Sequence, residues 1–160
     1  MKKRYYNVET YHAKGSIGYL IRRSRNLITQ GLERLFDETF SGEGITFAQW
    51  VVLMCLRDGL ASTPAELCQY ICYDSGALTR LVDQMEKRGL VKRIRSTRDR
   101  RMIQLHLTTK GRDTIAMFLG TVVEFYNGLL INFSEDEADT LVRLLTKLVN
   151  NLSENRKKGS

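Results

Sequence analysis

SGALTRLVDQMEKRGLVKRIRSTRDRRMIQLHLTTKG, residues 75–111, changes its hydrophobic period part-way along. Up to Gly89 the apolar residues Leu78, Leu81, Val82 and Met85 recur at steps of three and four, which is one stripe of an amphipathic helix. Asp74 or Ser75 can cap its start, and Gly89 suits the left-handed position that closes it. The outer face carries Thr79, Arg80, Asp83 and Gln84. From Val91 the period drops to two. Val91, Arg93 and Arg95 alternate with Lys92 and Ile94, and Ile103, Leu105 and Leu107 alternate with Met102, Gln104 and His106. The two runs predict a β-hairpin with Ser96 to Arg100 as its turn. Residues 92–101 hold six cations against the single acid Asp99, so five of the seven net positive charges lie in ten residues. A charge run of this kind is by default a solvated face, and only its surroundings can make it a binding surface.

Working outward, Ile17, Leu20, Ile21, Leu27, Ile28, Leu32, Leu35 and Phe36 form the stripe of a helix from about residue 15 to 39. Thr46 with Gln49 makes a capping box for a second helix with Trp50, Leu53 and Met54 on its apolar face, ended by Gly59. Thr63, Pro64 and Glu66 combine an N-cap, a proline where its missing N–H costs nothing, and a capping acid, so a short helix is expected over 64–71. Downstream, Thr108 caps a long helix whose only charges from Asp113 to Phe133 are Asp113 and Glu124. Its apolar residues Ile115, Phe118, Leu119, Val122, Val123, Tyr126, Leu129 and Leu130 cover much of the circumference, which predicts burial on several sides. Ser134 and Glu137 open a last helix with Ala138, Leu141, Leu144, Leu145, Leu148, Val149 and Leu152 on one face. Arg156, Lys157 and Lys158 follow as a basic tail expected to fray.

At 160 residues, 42% apolar and 27% charged, with one Pro and 12 Gly, the chain has the composition of a folded domain and the length to bury a core. The reading is therefore of residues 1–160 as one domain. No apolar run approaches membrane-spanning length, and three cysteines suit a reducing compartment, so a cytoplasmic protein without membrane partners is expected. An enzyme is not expected. Only His12 and His106 are available as imidazole bases, and neither a Gly-rich phosphate loop nor an HExxH motif is present. No cofactor or metal is expected either. Cys68 and Cys72 are four apart and open the alternative of a redox- or metal-sensing regulator, but a structural zinc site wants four ligands and the two histidines are the only other candidates of that type.

Helix, short helix, turn, helix and basic hairpin is the order of a winged helix-turn-helix, in a mostly α (α+β) chain. A major groove about 12 Å wide admits one α-helix, and the hairpin reaches beside it. The lobe spans residues 46–107. Ser75, Gly76, Thr79 and Arg80 on the first turns of the helix, with Arg95, Arg98, Arg100 and Arg101 on the hairpin, are the candidate DNA-binding residues. Arg80 has a competing role as a partner of Asp83 or Asp99. A protein-interaction module in which the basic hairpin is incidental is the other alternative.

The same residues resemble the multiple antibiotic resistance regulator (MarR) family. The most specific part is residues 75–111, with Thr79-Arg80-Leu81-Val82, the helix end from Glu86 to Leu90, Asp99-Arg100-Arg101, Leu107-Thr108 and Lys110-Gly111. The resemblance implies a homodimeric repressor on a near-palindromic double-stranded operator, with long N- and C-terminal dimerisation helices at 12–40 and 108–155. It gives Arg101 the role of a minor-groove arginine, drawn by the potential of a narrow A·T-rich groove, and Asp99 that of stabilising the wing. It also implies a small aromatic acid or phenolic effector, a coenzyme A thioester among the choices, that favours a spacing of recognition helices mismatched to grooves about 34 Å apart. Residue types alone nominate Tyr19, Trp50 and Met54 as an aromatic-accepting wall, with Arg22 or Arg23 pairing a carboxylate.

If each subunit neutralises about four phosphates, the logarithm of DNA affinity should fall against the logarithm of salt concentration with a slope of about −7 per dimer. A salt titration giving a slope near zero contradicts the electrostatic reading.

Overall fold

A computed structural model describes residues 5–71, 73–95 and 102–158. The turn expected at Ser96 to Arg100, the candidates Arg98, Asp99, Arg100 and Arg101, and Cys72 lie outside the described residues. Side-chain caps set most helix starts. Ser16 accepts from the Tyr19 N–H at the head of α1, Ile17–Phe40. A 3-10 turn, Ser41–Glu43, leads to α2, Phe47–Arg57, where Thr46 and Gln49 close the capping box in both directions. The third helix, α3, Pro64–Ile71, is held by Thr63 accepting from the Glu66 N–H, while the Glu66 carboxylate accepts from Ser62 and Thr63. Those bonds hold the Glu66 carboxyl below its ordinary range, so the cap stabilises at neutral pH and is lost as acid protonates it. Asp74 caps α4, Ser75–Lys87, and Gly89 follows with φ +70°, a conformation that favours glycine.

Strands β1, Val91–Arg95, and β2, Ile103–Leu107, pair antiparallel with Val91 opposite Leu107 and Arg95 opposite Ile103. The Leu105 N–H also reaches the Ser62 carbonyl at 2.8 Å, tying the hairpin to the entry of α3. Thr108 then joins three segments. Its hydroxyl donates to the Gly89 carbonyl at 2.6 Å and accepts from the Gly111 N–H at the start of α5, Thr109–Leu129. A Cβ at Gly111 would lie 2.2 Å from the Leu90 carbonyl oxygen, so this crossing of backbones requires glycine. The last helix, α6, is Glu135–Lys158. Among the described residues none of these helices is long and apolar enough to cross a membrane.

The chain comprises two compact units, Met1–Phe118 and Leu119–Ser160. The first is a winged helix-turn-helix lobe with α1 and the start of α5. Its core takes Leu32 and Phe36 from α1, Val52 and Leu53 from α2, Leu67 from α3, and Leu78, Val82 and Met85 from α4, closed by Leu90, Val91 and Leu105. Phe36 stacks on Phe118 with centroids 4.9 Å apart. Each such side chain contributes about 1.5–3 kcal/mol by leaving water. In the second unit the Phe133 N–H donates to the Leu130 carbonyl, and Ser134 with Glu137 forms the capping box of α6.

One expectation needs correction. The α5 helix is not buried on several sides within its own chain. Ile115, Phe118 and Val122 are buried, while Met117, Val123, Tyr126 and Leu129 are exposed, because composition cannot separate burial by the chain itself from surface left for something else. The last helix continues through Lys158, with Glu135, Asp136 and Glu137 in its first turn, where acids complement the helix macrodipole.

Candidate nucleic-acid interface

Leu78, Val82 and Met85 turn one stripe of α4 into the core, which leaves Ser75, Gly76, Thr79 and Arg80 exposed on the opposite side of its first turns. The Asp74 carboxylate accepts from the Ala77 N–H at 2.8 Å. The Thr79 hydroxyl donates to the Ser75 carbonyl at 2.7 Å, so its oxygen is free to accept. Gly76 lies beneath Arg80: a Cβ there would come 3.9 Å from Arg80 Nη1 and 3.3 Å from Asp74 Oδ1. Among the described residues Arg80 makes no ion pair, and Asp83, its nearest competing partner, is engaged elsewhere.

Asp83 instead meets Arg93 of β1. The Arg93 guanidinium spans Asp83 at 2.6 Å and Glu86 at 2.5 Å, and the Arg93 N–H donates to Glu86 at 3.1 Å. Burial alone lowers the pKa of this guanidinium, but its bonds to the two carboxylates more than reverse that. The sequence reading missed this clamp, counting Arg93 with the free cations and Asp83 with the outer face. The signal was available in the inward register of Arg93 and in two acids three residues apart on the neighbouring helix.

The clamp fixes which way the hairpin faces. Side chains two apart on a strand share a face, so Arg95 projects on the same side of the ribbon as Arg93, toward α4. Arg95 is exposed and opposite Ile103. Arg93 thus brings β1 against the α4 face that carries Asp83, three residues from the exposed Arg80. A second device steadies the far end of α4, where Arg88 donates to the carbonyls of Glu43 and Gly44 ahead of α2.

The effector candidates divide. Tyr19, Arg22 and Arg23 line one shallow groove on α1 with Asn26, Leu27 and Gln30, of about 210 Å³. Trp50 lies instead in an aromatic cluster with Phe36 and Phe47, 6% exposed, its buried indole N–H without a hydrogen-bond partner among the described residues. Met54, on the same helix, is half-buried. Cys68 is a half-buried free thiol, and Cys55 is buried, its thiol pushed up first by burial and then by Asp58. Among the described residues no group of three or more His, Cys, Asp or Glu could hold a metal ion.

A family model described as the MarR family matches residues 45–103, which span α2 to the start of β2. The multiple antibiotic resistance protein MarR of Escherichia coli K12 is 33% identical over 127 residues, 78% of this chain and 87% of that protein. The chain belongs to the MarR family. The transcriptional repressor YetL of Bacillus subtilis is 28% identical over 128 residues, covering 79% of this chain and 77% of its own. A crystal structure of a mutant MarR from E. coli complexed with operator DNA shares 32% identity at a TM-score of 0.65, covering 81% of this chain and 93% of that one. As a MarR family member with a winged-helix lobe, this chain is a DNA-binding transcriptional regulator.

The clamp has a measurable energy. With Asp83 and Glu86 both partly exposed, solvent screens the pairs, and Arg93→Met is expected to lower the unfolding free energy by about 1–2 kcal/mol in urea denaturation. In an Asp83→Asn/Glu86→Gln background most of that loss should vanish. A full-sized effect there contradicts the clamp.

Proposed function

We propose that this regulator is a cytoplasmic homodimeric repressor that binds a near-palindromic operator and is released by a small aromatic or phenolic acid. The observation that supports the DNA-binding half is the Arg93 bridge to Asp83 and Glu86, which holds the wing strand β1 against α4. In this reading residues 46–107 are the DNA-binding lobe: α4 lies in the major groove with Ser75, Gly76, Thr79 and Arg80 toward base edges and phosphates. Arg101 enters the neighbouring minor groove, Arg95, Arg98 and Arg100 contact the DNA from the hairpin, and Asp99 steadies the wing. The relatives supply support: one is named a repressor, and another was crystallised with operator DNA.

Residues 12–40 and 108–155 are the dimerisation helices of this proposal. Ile17, Leu20, Ile21 and Leu27 on α1 are exposed, as are Leu141, Leu144, Leu145, Val149 and Leu152 on α6. Apolar surface on this scale is characteristic of chains that associate. For the effector, the α1 groove collects two guanidinium groups and a phenol beside Leu27, a combination suited to a carboxylate on a small ring. A coenzyme A thioester of such an acid is included in that class.

Sedimentation should give twice the 18.4 kDa chain mass, and a gel shift with the fragment upstream of its own gene should show a retarded band at low salt. The Arg80→Ala variant is expected to bind that fragment about 5- to 150-fold more weakly, the value of one lost base or phosphate contact. Hydroxybenzoates, hydroxycinnamates and their coenzyme A thioesters should be titrated against the band and against Trp50 fluorescence. A monomer, or no retardation at low salt, overturns the proposal, and a flat response to every compound removes the effector class.

A further inference from the structure

We infer that the hydroxyls of Tyr70 and Tyr73 grip the sugar-phosphate rail beside the groove that α4 enters. Tyr70 lies at the end of α3, and Tyr73 directly precedes the N-cap of α4. They are 54% and 42% exposed, and among the described residues neither hydroxyl has a hydrogen-bond partner. The fold thus leaves two phenols unused beside the one helix end that faces DNA.

That helix end explains why phenols suit the place. A helix N-terminus ordinarily attracts phosphate through its free N–H groups and dipole. Here the Asp74 carboxylate already occupies it, accepting from the Ala77 N–H, so a phosphate brought to the same amides meets a like charge. Donors set to one side of Asp74 reach a phosphate without meeting that charge. A phenol supplies a neutral O–H for a phosphate oxygen and an apolar ring for the deoxyribose, and tyrosine is among the side chains that make such contacts. In a helix-turn-helix the turn before the groove-entering helix stands at the lip of the groove, where the rail runs. The inference rests on the DNA-binding reading and adds contacts that fix register without reading sequence.

The test compares the full-length chain with Tyr70→Phe, Tyr73→Phe and the double variant, using fluorescence anisotropy. The probes are the duplex upstream of its own gene and a scrambled duplex of equal length. Each single variant should bind both duplexes about 3- to 10-fold more weakly, with the losses of the two multiplying in the double variant. The salt slope should stay at the parental value, because a phenol displaces no counterion, whereas loss of an arginine contact lowers it by about one. The melting temperature should also stay unchanged. Parental affinity in all three variants overturns the inference, and so does a lowered melting temperature, which would assign the hydroxyls to the fold. If the parental chain binds neither duplex, the DNA-binding reading fails with it; if it binds and only the variants are silent, that reading stands.

Discussion

The guanidinium of Arg93, shared between Asp83 and Glu86, decides how the hairpin stands against α4. A two-stranded ribbon has little stability or fixed direction of its own. Here it is held at three points: Val91 and Leu105 in the core, the Leu105 bond to Ser62, and this charge pairing. Val91, opposite Leu107, anchors the base of the ribbon, while Leu105 and Arg93 face each other across the ladder and hold it two residues further along, to Ser62 on one strand and to α4 on the other. Because Arg93 is only partly buried, the desolvation cost is modest and bidentate geometry recovers it, while the requirement for both acids makes the contact directional.

Rigidity at the base comes from a close backbone approach and from side chains that donate to main-chain carbonyls. Gly111 brings α5 against the Leu90 carbonyl, and Thr108 bonds Gly89 from the same corner. At its other side α4 is held by the reach of Arg88 to Glu43 and Gly44. The C-terminal end of α4 is thus fixed by two side chains, Arg88 and Thr108, that donate to main-chain carbonyls. The candidate DNA-contacting residues sit at the opposite end, where Asp74 and Thr79 bond only within the first turns of the helix.

Local chemistry made most of this legible from sequence. Thr46 with Gln49, Thr63 with Pro64 and Glu66, and Ser134 with Glu137 announce helix starts because each cap is satisfied within four residues. The change of period at Val91 revealed the hairpin for the same reason. What sequence left out is what depends on neighbours distant along the chain. Asp83 and Glu86 look like solvent-facing acids until β1 lies beside them. Trp50 and Tyr19 were grouped by residue type, but Trp50 stands among Phe36 and Phe47 and Tyr19 lines a separate groove. Neither the glycine requirement at 111 nor the phenols at 70 and 73 could be read without knowing what stands beside them.

The central claim is that the flank of α4 and the wing face one duplex together, helix in the major groove and hairpin in the adjacent minor groove. Hydroxyl-radical footprinting of the bound operator tests this most directly, since it reports each sugar a protein shields. The account predicts protected sugars confined to one face of the duplex, with a minor-groove cluster flanking each half-site about half a helical turn from the helix contacts. Protection spread evenly around the duplex, or confined to the helix contacts with the flanking minor grooves fully cleaved, would contradict it.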